Sequence, residues 1–230
     1  MQNAPPISIP RCYLEGIEQV TGYSLCGFCD ASSKAYAALI YLRVETTNGV
    51  KIQFLASKTR IASPKGHTIP RLELLSALLL ARLFTSVAEA LRPEIRLKAP
   101  LCYTDSKVAL YWIISQREWK QFVQNRVIEI QRLVPIESWR HCEGSSNPAD
   151  LPSRGVTPNN PVKDTLWLEG PCWLHCATDT EEVVESVLPA QGLEELRKTS
   201  VLLAPSGSNT HPVLRCENYS SLGRLLRVMA

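Results

Sequence analysis

Apolar residues between positions 23 and 57 fall into three short runs separated by polar breaks. The runs cover residues 23–29, 35–44 and 50–57, and their length and β-rich composition predict strands. Between the second and third runs lies Asn48-Gly49, the dipeptide that favours a tight hairpin turn. The pattern therefore predicts an antiparallel meander of three strands.

A helical period follows a basic loop, residues 57–70, that is rich in breakers. Leucines at intervals of three and four predict a long helix over residues 71–91, with Thr68 as its N-cap and Pro70 in its first turn. This stretch is the most apolar in the chain, but it carries Glu73 among its leucines. We interpret it as a buried helix and not as a membrane span.

The remaining pattern of the first 155 residues predicts two more strands and three more helices. In chain order these are a strand over 99–104, helices over 105–115 and 118–134, a strand over 136–141 and a short helix over 147–155. The predicted fold class is α/β, with a mixed five-stranded sheet of three antiparallel and two further strands, flanked by helices. Residues beyond 155 read as an irregular C-terminal extension.

Charge and cysteine content narrow the class of protein. Residues 1–155 hold 19 lysines and arginines against 13 acidic residues, an excess that suits a polyanionic partner. The N-terminus shows no secretory signal pattern, so we interpret the eight cysteines as reduced thiols. We expect a cytoplasmic or nuclear protein that is not secreted and has no membrane partner.

Four carboxylates stand at the ends of predicted elements: Asp30, Glu73, Asp105 and Asp150. Each has an ordinary structural explanation as a turn residue, a helix cap, a capping-box residue or an exposed helix position. Glu73 fits that explanation least, because it lies among leucines and has no lysine or arginine three or four residues away. A buried carboxylate needs a partner, and a metal ion is a sufficient one.

Taken together, the four carboxylates fit a magnesium site. Mg²⁺ prefers oxygen ligands, and two such ions about 4 Å apart need carboxylates from several elements. Such a pair activates a water on one side of a phosphodiester and stabilises the leaving oxygen on the other. We expect the ends of the first and fourth strands to lie side by side, with the small residues after Asp30 leaving room for a nucleic-acid backbone. Mn²⁺ is the expected substitute for Mg²⁺.

The ordered motifs FCDAS, IPRLELL, YTDSKVALYWI and NPADLPSRG resemble the ribonuclease H domain of BEL/Pao-type LTR retrotransposon polyproteins, most closely over residues 24–155. The resemblance implies a ribonuclease H-like fold and endonucleolytic cleavage of the RNA strand of an RNA–DNA hybrid, with Mg²⁺ as cofactor. It also implies that the metal ligands and catalytic residues are Asp30, Glu73, Asp105 and Asp150.

The same resemblance predicts the organisation of the chain. Residues 1–22 resemble the end of a reverse-transcriptase connection, and residues 23–155 form the ribonuclease H-like domain. Residues 156–230 are expected to be a partly disordered linker and extension leading toward integrase. The implied partners are the hybrid and the reverse-transcriptase and integrase regions of the parent polyprotein, within a retroelement particle.

One departure concerns the loop before the last carboxylate. Many ribonucleases H carry a histidine there, but residues 142–147 read CEGSSN. His141 lies on the strand side of this loop, and Glu143 cannot replace an imidazole near neutral pH without a large pKa shift. The departure predicts slow turnover.

Basic and polar residues near the predicted site are candidates for contact with nucleic acid. The candidates are Ser32, Lys58, Arg60, Lys65, Ser106, Lys107 and Asn147. Lysine and arginine contacts to phosphates make affinity fall with salt, and selectivity for RNA requires contacts to 2′-hydroxyls. The alternative for the charged residues is an ordinary solvated surface.

Two other functions remain open from the residues alone. The first is a catalytically inactive nucleic-acid-binding or scaffold fragment of a degenerate retroelement, whose binding to hybrid would not depend on Mg²⁺. The second is another nuclease or a transposase on the same fold, which would cut or join duplex DNA.

Overall fold

A computed structural model of the chain describes residues 17–63, 66–155, 165–176 and 190–197. Most of the predicted reverse-transcriptase remnant, residues 1–22, lies outside the described residues, as do Lys65 and residues 198–230.

Three long strands form the predicted antiparallel meander: β1 (Val20–Ala31), β2 (Ala35–Thr46) and β3 (Gly49–Ile61). Gly49 ends the hairpin turn with φ at +132°, a conformation that favours glycine. The predicted loop at 57–70 begins too early, because β3 continues to Ile61. The last residues of β3 pair with the start of β2; Ile61, for example, pairs with Ala35.

The predicted long helix is α1 (Ile69–Leu91). Thr68 is its N-cap residue, as predicted, but its side chain makes no capping hydrogen bond. By length and composition this helix would also suit a membrane span. It packs instead against β1, β2 and the helix α3 (Gln121–Leu133), in agreement with the prediction of a core helix.

Five further elements complete the predicted set. They are β4 (Leu101–Thr104), α2 (Lys107–Ile114), α3, β5 (Trp139–His141) and α4 (Asp150–Arg154). The strands form one mixed sheet in the order β3-β2-β1-β4-β5, in which β1 pairs with β4 and β4 with β5 in parallel. The predicted fold class is confirmed.

Several predicted boundaries are wrong, each for a local reason. Helix α2 starts after Ser106, whose side chain caps it by accepting a hydrogen bond from the backbone of Ala109 at 3.2 Å. Helix α3 starts after Lys120, whose N–H donates to the carbonyl of Glu195 at 2.7 Å. Strand β5 is shorter than predicted, because Ile136–Ser138 forms a 3₁₀ turn after Pro135.

One face of the sheet is covered by α1, α2 and α3. The core on this face includes buried side chains from every layer: Leu25, Cys29, Ile40, Leu42, Leu74, Leu80, Trp112, Trp119, Val127 and Trp139. The three tryptophans belong to the core, as the apolar pattern predicts.

The opposite face is covered by segments that follow residue 155. Helix α5 (Thr165–Glu169) and a 3₁₀ turn at Cys172–His175 pack on β3. A second core lies beneath them, formed by Cys26, Phe28, Leu39, Tyr41, Cys142, Ala149 and Leu174. The prediction of a linker after residue 155 did not include this packing, so the described sheet is covered by more of the chain than the predicted domain contains.

Candidate metal centre

Pairing of β1 with β4 brings two predicted carboxylates together. Cys29 pairs with Thr104 in the parallel register, so Asp30 and Asp105 follow as neighbours at the same end of the sheet. The structure confirms the expectation that the ends of the first and fourth strands lie side by side. Asp30 is 4% exposed and Asp105 is half-buried.

Helix α1 supplies the third carboxylate. It lies close to β1 because position 27 is glycine: a Cβ there would come within 2.6 Å of a methyl group of Leu80. Glu73, 7% exposed, points from the first turns of this helix toward the strand ends. One oxygen from each of Asp30, Glu73 and Asp105 lies within 4.8 Å of the others, and we call these three residues the carboxylate cluster.

Burial and mutual repulsion raise the pKa values of the carboxylate cluster. The pKa of Glu73 rises to about 9, chiefly through desolvation and then through the charges of Asp30 and Asp105. The pKa of Asp105 rises to about 6 for the same two reasons, with Asp30 as the main neighbouring charge. The pKa of Asp30 is also raised by burial, against a lowering hydrogen bond from Ser153. Without a cation, the cluster resists full ionisation.

The donor set fits a divalent cation. Glu73 Oε2 and Asp105 Oδ1 are both buried and accept no hydrogen bond from the residues that the structure describes. Buried carboxylate oxygens without donors are unfavourable in a folded protein, whereas carboxylate oxygens are the ligands that Mg²⁺ and Mn²⁺ take. The three residues can hold such an ion between them.

Asp150 lies near the carboxylate cluster but is engaged elsewhere. It begins α4, is half-buried, and its Oδ1 accepts a hydrogen bond from Nε of Arg154 at 2.5 Å. Its charge contributes to the raised pKa values of Asp30, Glu73 and Asp105, so it acts on the same site. Of the predicted carboxylates, the described structure groups three at ligand distance and places Asp150 beside them.

The loop before α4 packs directly on Asp105. A Cβ at Gly144 would lie 3.1 Å from Asp105 Oδ2, so only glycine leaves the carboxylate its full space. His141, which precedes the loop, has Nε2 at 3.2 Å from the backbone carbonyl of Asp105. It also lines a cavity of about 250 Å³ with Tyr103 and Trp173. The imidazole therefore contacts the backbone of Asp105 and borders this cavity.

Two of the predicted nucleic-acid contacts, Asn147 and Ser32, make hydrogen bonds within the protein. Asn147 is 1% exposed; its amide donates to the carbonyl of Cys29 at 3.0 Å and its oxygen accepts from the backbone of Ala149. Its side chain also lowers the pKa of Asp105, as a hydrogen-bond donor to the carboxylate. Ser32 donates to the carbonyl of Ser153 at 2.6 Å. Both side chains make hydrogen bonds within the protein, and their contact with nucleic acid stays a prediction.

The other predicted contacts remain at the surface. Ser106 is half-buried beside Asp105, and its oxygen accepts the cap hydrogen bond of α2, which leaves its O–H to donate. Lys107 is exposed at the start of α2. Lys58 and Arg60 are exposed on the edge strand and, by the alternation of β3, project on the α1 side, opposite to Asp30. Helix α1 carries Glu73, so Lys58 and Arg60 lie on the face that supplies this carboxylate, and their contact with nucleic acid stays a prediction.

Ser153 is a site residue that the sequence pattern did not reveal. It is fully buried on α4, and its hydroxyl donates to Oδ2 of Asp30. The motif NPADLPSRG contains it, but nothing in local periodicity distinguishes a serine that contacts Asp30, 123 positions away, from an ordinary helix residue.

Residues 1–106 match the sequence model of the Pao retrotransposon-like RNaseH-like domain. The match covers 106 of the 230 residues, and over this region the chain is similar to that family. The matched region includes β1, α1 and β4 with Asp30, Glu73 and Asp105, and the match agrees with the resemblance carried by the motifs. No match was found among curated proteins.

Three solved structures that resemble this chain have low sequence identity to it. The N-terminal RNase H domain of Rv2228c from Mycobacterium tuberculosis is 11% identical, with a TM-score of 0.37, covering 55% of this chain and 85% of its own. RNase H1 from Halobacterium salinarum NRC-1 is 9% identical, with a TM-score of 0.35 and coverages of 55% and 89%. LC11-RNase H1, solved in complex with an RNA/DNA hybrid, is 10% identical, with a TM-score of 0.36 and coverages of 56% and 91%. The similarity to the Pao retrotransposon-like RNaseH-like domain rests on the match of residues 1–106.

Proposed function

We propose that this chain is a ribonuclease H that cleaves the RNA strand of RNA–DNA hybrids by a two-metal-ion mechanism during retrotransposon reverse transcription. The observation that carries the proposal is the carboxylate cluster, in which three carboxylates lie within 4.8 Å and two of their buried oxygens have no donor among the described residues. The match of residues 1–106 to the Pao retrotransposon-like RNaseH-like domain supports the choice of RNA–DNA hybrids as the substrate class.

Asp30, Glu73 and Asp105 would hold the first Mg²⁺, and Asp150 would complete the second site with Asp30. The ions supply an activated water and stabilise the departing 3′-oxygen of the RNA. For Asp150 to take part, its carboxylate must exchange the hydrogen bond from Arg154 for an ion, and both side chains are exposed enough to rearrange.

The residues of the chain position this chemistry. Parallel pairing of β1 and β4 fixes the relative height of Asp30 and Asp105, and Asn147 ties the loop before α4 to the end of β1. Gly144 lets the loop before α4 approach Asp105 without a Cβ crowding its Oδ2. Ser106 follows Asp105 and has an O–H available, so it would donate to a 2′-hydroxyl of the RNA strand.

Cleavage of a labelled RNA–DNA hybrid by the full chain in Mg²⁺ or Mn²⁺ tests the proposal. Glu73→Gln removes one charge of the carboxylate cluster without changing its size, and Glu89→Gln is the matched control on the exposed side of the same helix. We expect cleavage by the wild-type chain and by Glu89→Gln, and loss of cleavage in Glu73→Gln and Asp30→Asn.

The alternatives are separated by the same assay. Hybrid binding that is unaffected by Mg²⁺, with no cleavage in either metal, would favour a non-catalytic binding fragment. Cutting or joining of duplex DNA in place of the hybrid would favour another nuclease or a transposase. With this activity we propose the reverse-transcriptase and integrase regions of a parent polyprotein as partners. We propose a retroelement particle in the cytoplasm or nucleus as the location.

A further inference from the structure

Ser153 makes a contact that packing alone does not require. It lies in α4 with no exposed surface, and its hydroxyl is 3.0 Å from the carbonyl of Asp150, the partner that a serine in a helix ordinarily takes. The hydroxyl is nevertheless closer to Oδ2 of Asp30, to which it donates across 123 positions of the chain. The interaction is charge-assisted whenever Asp30 is ionised, and such hydrogen bonds are stronger than those to a carbonyl.

A second hydrogen bond runs in the opposite direction. The hydroxyl of Ser32, two residues after Asp30, donates to the backbone carbonyl of Ser153 at 2.6 Å. The end of β1 and helix α4 are thus joined by two reciprocal bonds, one from each serine. The pair of bonds fixes both the distance between the two elements and the rotation of the Asp30 carboxylate.

The hydrogen bond leaves Asp30 able to bind a cation. A carboxylate has two oxygens with about four lone-pair directions, so a donor on one side of Oδ2 leaves Oδ1 and the other side of Oδ2 available. One oxygen of Asp30 lies within 4.8 Å of oxygens of Glu73 and Asp105, so Asp30 can share an ion with them while it accepts the bond from Ser153. Outer residues that orient a ligand in this way change metal affinity without touching the metal.

We propose that Ser153 is a positioning residue that orients the Asp30 carboxylate and thereby sets the affinity of the site for divalent cations. The inference rests on the proposed function, since it concerns the same carboxylate cluster. Ser153 acts through Asp30 and touches neither substrate nor ion. Because Ser153 belongs to the helix that begins with Asp150, its hydroxyl also ties the first three carboxylates to the fourth.

Binding of Mn²⁺ to the full chain without nucleic acid, measured by calorimetry, is the direct test. We expect Ser153→Ala to weaken Mn²⁺ binding by on the order of tenfold, as outer-residue changes do in other metal sites. Ser153→Thr keeps the hydroxyl and is expected to retain most of the affinity. Ser153→Cys keeps the size with a weaker donor, and it serves as the informative variant if Ser153→Ala does not fold.

Ser76→Ala is the matched control. Ser76 is also fully buried, and its hydroxyl donates to the backbone carbonyl of Glu73 at 2.7 Å. Both alanine variants lose a buried hydroxyl and should melt at similarly lowered temperatures, but only Ser153→Ala should bind Mn²⁺ more weakly. Raising the Mn²⁺ concentration should restore hybrid cleavage to Ser153→Ala.

Three results would overturn the inference. The first is that Ser153→Ala or Ser153→Cys binds Mn²⁺ as tightly as the wild type. Equal weakening by Ser76→Ala is another, because it would assign the effect to general destabilisation. If the wild type cleaves the hybrid while all the serine variants bind Mn²⁺ alike, only the positioning role of Ser153 is wrong. If the wild type binds no Mn²⁺ and cleaves nothing, the proposed function is wrong as well.

Discussion

The hydroxyl of Tyr41, in the middle of β2, donates a hydrogen bond to the backbone carbonyl of Trp167 in α5 at 2.7 Å. Tyr41 is fully buried, and the bond fastens the segment after residue 155 to the sheet. We therefore expect Tyr41→Phe to lower the free energy of unfolding by about 1 kcal/mol, because a buried carbonyl loses its donor while the ring remains. Urea denaturation of the full chain measures the change.

Tyr23→Phe is the control for this prediction. Tyr23 lies on β1 and is half-buried, and its hydroxyl makes no hydrogen bond within the described part of the chain. An equal loss of stability in both variants would show that the hydrogen bond between Tyr41 and Trp167 makes no specific contribution to the free energy of unfolding.

A methyl group added at Gly27 should destabilise the chain. Its Cβ would lie 2.6 Å from Leu80, which is fully buried in α1, so the helix or the side chain must move. We expect Gly27→Ala to lower the free energy of unfolding by about 1–3 kcal/mol, the usual effect of overpacking. In a Leu80→Ala background the added methyl should have little effect, and an unchanged penalty there would contradict a Gly27–Leu80 clash.

Gly144→Ala should reduce hybrid cleavage more than it reduces stability. The new Cβ would sit 3.1 Å from Asp105 Oδ2, so the loop or the carboxylate must shift by a few tenths of an ångström. Small displacements of reacting groups slow catalysis strongly, and we expect a several-fold fall in turnover. Ser145→Ala, at the exposed neighbouring position, is the control and should cleave hybrid like the wild type.

Stability should depend on pH when divalent ions are absent. The pKa of Glu73 rises from 4.5 to about 9 on folding, so the folded state binds more protons than the unfolded chain across this range. The stabilisation is complete below pH 4.5 and is lost as the pH rises through about 9. Asp105, whose pKa rises from 3.8 to about 6, adds a smaller loss at lower pH. Urea denaturation in EDTA across this range measures the slope.

Glu73→Gln should flatten the upper part of that profile, since the amide does not titrate. Added Mg²⁺ should recover stability at about pH 8, because the ionised carboxylates then have a partner. A wild-type profile that rises between pH 6 and 9 in EDTA would contradict the raised pKa of Glu73.

Sequence periodicity was sufficient for the elements that support the carboxylate cluster. The meander and the leucine-rich helix have strong local patterns, and the adjacency of Asp30 and Asp105 follows once β1 and β4 are neighbours. Whether Asp30, Glu73, Asp105 and Asp150 hold ions and carry catalysis stays a prediction that cleavage and metal-binding assays must decide.

The features that periodicity missed all depend on contacts between distant residues. From the sequence, Asn147 is predicted to be a loop amide available to a substrate. In the structure its side chain is buried and donates a hydrogen bond to the carbonyl of Cys29, 118 positions earlier. The sequence of β2 does indicate that the second face of the sheet is covered, because its run AYAALIYL is apolar at successive positions. A strand that is apolar on both sides is buried on both sides, and this predicts a covering segment without identifying it as residues 165–176.

Because β1 pairs with β4, which comes much later in the sequence, Asp30 and Asp105 can become neighbours only after β4 has been made. The strand that carries Asp30 is made early, whereas the residues that flank it at the sheet end, Asp105 and those of α4, are made much later. A chain that stops before β4 contains the sequence of β1, β2, β3 and α1, but its Asp30 and Glu73 lack Asp105 and Asp150. The full set of neighbouring negative charges is therefore present only after the later part of the chain has been made.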